Sequence, residues 1–146
     1  MKALLLCASH NDLHLIKALK KLGYYIIATG SVKGLPGERL VDEYIQADYS
    51  DKERILQIAK TENVDAIVQC CNDYAVYTAS YVAEQLGLPG YDSYETILTL
   101  HDKDRFKQFC MDNEILAIPS VFFSDINDAE EWLEEAEYPL IVKPVD

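Results

Sequence analysis

KALLLCASHNDLHLIKALKKLGYYIIATG, residues 2–30, decides the fold class. KALLLCA is a continuous apolar run of strand length, the pattern of a strand covered on both faces. The period then changes. Leu15, Ile16, Leu19 and Leu22 share one helical stripe, with Lys17, Lys20 and Lys21 outside it. Gly23 is a natural helix stop, and YYIIAT reads as a second buried strand. This is a strand–helix–strand unit.

The same alternation continues outward. TGSVKGLPGER is a loop by its glycine and proline content, and DEYIQA is a short third strand. Ser50 and Glu53 have the capping-box spacing, which predicts a helix starting at Asp51. VDAIVQCC is a fourth strand. NDYAVYTASYVAEQLG carries a helical pattern with Val76, Ala79, Ala83 and Leu86 in register, closed by Gly87. Because crossovers between parallel strands are right-handed, the series predicts an α/β fold with a doubly wound, largely parallel sheet.

The texture changes after Pro89. DSYETILTL and HDKDRFKQFCMDN read as two helices, the second with Phe106, Phe109 and Cys110 on one side. IPSVFF and YPLIVK read as strands bracketing an acidic helix over 128–136, whose Ala129, Trp132, Leu133 and Ala136 share a face. The expected organisation is an α/β domain with trailing helices over 1–112 and the incomplete start of a second domain over 113–146.

A hydrophobic fraction of 49% suffices for a packed core, and a formal charge of −12 argues against nucleic acid or an anionic membrane as partner. Residues 125–137 hold seven acids and no base, the pattern of a solvated helix face. Cys7, Cys70, Cys71 and Cys110 show no zinc spacing, and vicinal Cys70–Cys71 is a poor structural disulfide. No segment reads as a signal peptide or a bilayer span, so the expectation is a cytoplasmic protein.

Ligands of open α/β sheets gather at the carboxyl ends of the strands. Here those ends carry CASHND, TGSVKG, QADYSD and QCCND. With strand order 3-2-1-4 the first and fourth loops are neighbours, and Ser9, His10, Asn11, Cys71 and Asn72 surround one crevice at two helix N-termini. Helix capping is the plain alternative for such Ser, Asn and Asp residues. CASHND lacks G-x-G-x-x-G and the second strand ends without an acid, which counts against a dinucleotide oxidoreductase. Two lysines stand out. Lys103 opens a helix, where a cation opposes the dipole unless an anion is near. Lys143 shares a strand face with Ile141 and Val145, so it either snorkels outward or meets negative charge.

CASHNDLHLIKALKKLGYYIIATG, ADYSDKERILQIAKTENVDAIV and AEQLGLPGYDSYETILTLHDKDRFKQF resemble the N-terminal domain of ATP-grasp enzymes, and YPLIVKPVD resembles the strand that opens the ATP-grasp fold proper. The superfamily includes biotin carboxylase, the carbamoyl-phosphate synthase large chain and D-alanine–D-alanine ligase. The resemblance implies a Rossmann-like domain followed by a strand–helix–strand start of an ATP-grasp domain. It implies ATP contacts by Lys103 and Lys143, and an acceptor-substrate side lined by Ser9, His10, Asn11, Cys71, Asn72 and Asp73. It implies an N-terminal fragment of a ligase that joins small carboxylate and amine substrates through an acylphosphate. Mg2+ ligands, the glycine-rich loop and catalytic residues are expected downstream of Asp146, so the fragment alone should be inactive. The alternative is a non-catalytic α/β module for small-ligand binding or dimerisation, with homodimer pairing through an open strand edge.

Overall fold

Leu4, Leu5 and Leu6 are each at most 1% exposed, so three consecutive side chains of one strand are buried although successive residues point to opposite faces. Both faces of that strand are therefore covered. The computed structural model describes residues 1–144 and shows how.

Four strands, β1 (Lys2–Leu6), β2 (Tyr25–Gly30), β3 (Glu43–Gln46) and β4 (Ala66–Gln69), form a parallel sheet in the order β3-β2-β1-β4. Helices α1 (Leu13–Lys21), α2 (Lys52–Glu62) and α3 (Asp73–Leu86) connect or follow them. Ala3, Leu5, Ile26 and Ala28 pack with Ile16 and Leu19 of α1. Leu4, Leu6, Ile27 and Ile67 pack with Ile55 and Ala59 of α2 and with Ala79 and Val82 of α3. The sheet is thus doubly wound, with alternate residues of β1 and β2 feeding opposite cores.

Helix ends follow the local chemistry. Gly23 and Gly87 stand at φ 81° and 65° just past α1 and α3, a left-handed conformation in which glycine carries no Cβ penalty. The N-cap of α2 is Asp51, whose side chain accepts from Arg54 N–H at 3.0 Å. The helix therefore begins at Lys52 rather than at Asp51. Ser50, expected as the cap, instead directs both its N–H and its hydroxyl to Asp48 Oδ1.

By the density of backbone contacts the chain divides into Met1–Ile97 and a second unit from Leu98 on. Helices α4 (Tyr94–His101), α5 (Lys103–Asp112) and α6 (Ile126–Leu133) complete the elements. Cys110 is buried on α5, whereas Phe106 and Phe109 are exposed. On α6, Trp132 packs against Phe123 at 5.7 Å between ring centroids.

The strand–helix–strand expectation for the last part is corrected. Its helix is α6, but neither IPSVFF nor YPLIVK is a strand. A strand exists through ladder bonds to a neighbour, and among the described residues these segments pair with nothing; two strands alone are marginal in any case. Ile141 and Val142 are 91% and 88% exposed, so the inward and outward faces inferred from alternation do not form there. Val145, assigned to one of those faces, lies outside the described residues.

Candidate functional site at the carboxyl edge of the sheet

Strands β1 and β4 are adjacent and parallel, with Leu6 opposite Gln69, so the segments leaving them emerge side by side. Cys70 Sγ donates to Asn11 O at 3.5 Å, which joins the two segments directly. The two loops expected from strand order to be neighbours are therefore in contact.

After β1 the backbone turns sharply at Cys7, which holds φ 80°, a strained value for a residue with a Cβ. Its N–H still reaches Thr29 O at 3.0 Å. His10–Asp12 then form a short 3-10 turn that runs into α1. Asp12 is the buried anchor of this turn: its Oδ2 accepts from Ser9 N–H at 2.7 Å and from Ser9 Oγ at 2.6 Å. Ser9 is thereby committed to Asp12. His10 and Asn11 are exposed. Asn11 does not cap α1, because the 3-10 turn places Asp12 at that position.

The loop after β2 folds back over this edge. Gly37 N–H donates to Ala8 O at 2.8 Å, and a Cβ on Gly37 would lie 2.8 Å from that same oxygen. Only glycine permits this approach. At the far side Tyr44 donates its hydroxyl to Val32 O, and burial, with Glu38 nearby, pushes the phenol above its ordinary range.

After β4 the chain passes through Cys70 and Cys71 to Asn72, the N-cap of α3. Asn72 Oδ1 accepts from Ala75 N–H at 3.2 Å, and its Nδ2 donates to Tyr49 Oη at 2.8 Å. Both ends of the Asn72 amide are thus engaged within the protein. Asp73 is the exposed first residue of α3, and Cys71 is exposed beside it. The structure thus brings the two loops together while assigning Ser9 and Asn72 capping and anchoring bonds; His10, Asn11, Cys71 and Asp73 face solvent.

Two polar groups here were not legible in the sequence. Thr29 Oγ1 and Gln69 Oε1 are buried and have no hydrogen-bond partner among the described residues. Both residues stand opposite Leu6, one on each flanking strand. Nothing in YYIIAT or VDAIVQCC marks these two as different from other strand residues, so no sequence signal could have found them. Tyr49, the partner of Asn72, was missed for the same reason.

In the second unit, Lys103 is the half-buried first residue of α5 and Lys143 is exposed in the extended segment near the end of the described chain. Among the described residues, no three His, Cys, Asp or Glu side chains are grouped so as to hold a metal ion, and no helix is long and apolar enough to cross a membrane.

No family model matches this chain, and no curated protein matches it. Solved structures do. It is similar to phosphoribosylglycinamide synthetase from Anaerococcus prevotii at TM-score 0.76 and 26% identity, over 94% of this chain and 35% of that one. It is similar to L-amino acid ligase from Bacillus licheniformis at TM-score 0.76 and 23% identity, over 99% of this chain and 37% of that one. It also matches the biotin carboxylase domain of the Hydrogenobacter thermophilus 2-oxoglutarate carboxylase, a dimer in complex with MgADP, ADP and bicarbonate, at TM-score 0.71 and 20% identity, over 94% of this chain and 33% of that one. The chain spans about a third of the length of these proteins. What they share with it is a four-stranded parallel sheet with the helices that follow: the chain has the fold of the N-terminal part of ATP-grasp enzymes.

Proposed function

We propose that this chain is the N-terminal part of an ATP-dependent ligase of the ATP-grasp type, in which ATP activates a carboxylate as an acylphosphate and an amine displaces the phosphate. The observation that carries the reading is the match to phosphoribosylglycinamide synthetase across 94% of the chain. A carbamoyl-phosphate synthase-like member of the superfamily falls within the proposal. So do a cytoplasmic location and a homodimer, the latter suggested by the dimeric biotin carboxylase domain.

Residues 1–112 would form the substrate-side module and 113–146 the start of the nucleotide-binding domain. Lys103 and Lys143 suit nucleotide phosphates by their charge, Lys103 as the first residue of α5, where a bound phosphate would also meet the helix N-terminus, and Lys143 exposed on an extended segment. Ser9, His10, Asn11, Cys71, Asn72 and Asp73 would stand on the acceptor side, with Ser9 and Asn72 shaping the edge through their internal bonds. No residue of this chain is assigned to Mg2+ and no step to a metal. No catalytic residue is assigned either, and residues 1–146 by themselves are proposed to turn nothing over.

The test uses the complete polypeptide in which this sequence occurs, assayed for carboxylate-dependent formation of ADP and phosphate. Lys103→Ala and Lys143→Ala should each weaken nucleotide binding by roughly 10- to 100-fold, the worth of one charge-assisted hydrogen bond. Nucleotide affinity unchanged in both variants would remove the lysine assignment. Binding of a small ligand without any ATP turnover would leave a non-catalytic ligand-binding module in its place.

A further inference from the structure

Two thiols at the carboxyl edge stand in contact. Cys70 Sγ and Cys71 Sγ are 3.4 Å apart, and all four cysteines of the chain are free. The pair is asymmetric. Cys71 is exposed, whereas Cys70 is half-buried and held by its bond to Asn11 O at 3.5 Å. The turn that brings them together is itself fixed, because Asn72 N–H donates to Cys70 O at 2.9 Å across Cys71. Neighbouring side chains in an ordinary strand point to opposite faces. Here the strand has ended and the turn sets both sulfurs on one side.

We propose that Cys70 and Cys71 form a reversible dithiol–disulfide pair that reacts with a peroxide oxidant. In the first step the Cys71 thiolate attacks one peroxide oxygen. An S–O bond forms, the O–O bond breaks, and the departing hydroxide takes up a proton to become water. In the second step Cys70 Sγ attacks Cys71 Sγ; the S–S bond forms, the S–O bond breaks, and the oxygen leaves as a second water with the proton of Cys70. Two thiols have lost two electrons and two protons, and one hydrogen peroxide has become two waters.

Each residue suits its step. Cys71 is open to the oxidant. Cys70, 3.4 Å away, is placed to attack the oxidised Cys71 sulfur, although its hydrogen bond with Cys71 and its burial push its thiol up. Adjacent residues are about 3.8 Å apart at Cα, below the usual range of about 4.4–6.8 Å for a bridged pair, so this disulfide is strained and easily reduced. It therefore acts as a switch and not as a staple. Its readout is the turn that leads into the Asn72 cap of α3, at the edge where the two loops meet. The inference stands independently of the ligase reading.

The experiment treats the reduced chain with one equivalent of hydrogen peroxide at neutral pH and follows thiol titration and peptide mass. Expected is a fall from four titratable thiols to two, with the peptide containing both residues lighter by two hydrogens. Dithiothreitol restores all of them. A Cys7→Ser, Cys110→Ser double variant keeps the response, and Cys70→Ser halts at a Cys71 sulfenic acid that dimedone traps. Unresolved sulfenic or sulfinic acid on Cys71 in the native sequence overturns the proposal. So does a disulfide to Cys7, to Cys110 or between two chains, or a thiol count that does not change.

Discussion

The side-chain amide of Asn72 joins two elements, donating from Nδ2 to Tyr49 Oη at 2.8 Å while Oδ1 caps α3 through Ala75 N–H at 3.2 Å. One residue thus ties the segment after β3 to the helix after β4. Replacing Asn72 by Ala removes both bonds and should lower stability by about 1–2 kcal/mol, the upper range for a lost N-cap. Asn72→Asp keeps the cap and loses only the donor to Tyr49, so it should cost less than half as much. Urea unfolding of the two variants decides; equal losses would show that the cap contributes nothing.

Lys52 Nζ lies 4.6 Å from the ring centroids of both Tyr81 and Tyr94, and it donates to Tyr94 Oη at 3.3 Å. The two rings meet edge to face at 5.4 Å, so one ammonium clasps α2, α3 and α4. Lys52→Met keeps the aliphatic stem and removes the charge, and should cost about 1 kcal/mol. Thermal unfolding of this variant should show the loss, and Lys52→Arg should retain most of the wild-type midpoint.

Gly37 is the point at which the loop after β2 touches the end of β1. A methyl there would lie 2.7 Å from Ile16 Cδ1 and 2.8 Å from Ala8 O, and backbone cannot yield as a side-chain tip can. Gly37→Ala should therefore destabilise by about 1–3 kcal/mol, the usual cost of overpacking. Gly34→Ala, where a Cβ meets nothing within 4 Å but φ is 82°, is the control for backbone strain alone. Denaturation midpoints of the pair separate steric from conformational cost.

Burial pushes the Tyr91 phenol above its ordinary range, and a hydrogen bond with the Gln69 backbone works the other way without cancelling it. A raised folded value means the unfolded chain ionises first. The stability tied to the neutral phenol is thus complete below about pH 10, the unperturbed tyrosine value, and is lost as pH rises through the folded value. Tyr91→Phe should flatten the decline in urea midpoint above pH 10. An unchanged slope would mean that Tyr91 does not titrate differently in the two states.

Much of the sheet was legible because burial on both faces leaves a sequence record. KALLLCA and YYIIAT could be apolar throughout only if helices covered them on both sides, and the helices between them carry their own stripe and stop signals. The same logic failed at IPSVFF and YPLIVK. Apolar β-formers there supply propensity, but a strand also needs a ladder partner, and composition carries no record of whether one is present. The Ser50 cap failed for a smaller reason: Asp51, next in sequence, is itself a good cap and takes the Arg54 amide, one residue beyond the Glu53 amide that the capping-box spacing implied.

The candidate site divides along the same line. Taking the usual order 3-2-1-4 for a doubly wound sheet set the loops after β1 and β4 side by side, and the observed order is the same. Which groups in those loops are already satisfied was decided by local caps together with tertiary contacts. Ser9 turns inward to Asp12, Asn72 to Tyr49 and Ala75, and Cys70 toward Asn11 and Cys71. The bonds of Ser9 to Asp12 and of Asn72 to Ala75 are local caps, whereas those of Asn72 to Tyr49 and of Cys70 to Asn11 act over about 3 Å between residues far apart in the chain. The sequence by itself therefore determined the layers through periodic burial, and short spacings carried the local caps; the tertiary structure alone decided the long-range partners, Asn72 with Tyr49 and Cys70 with Asn11, because these are set by single close approaches that leave no periodic trace.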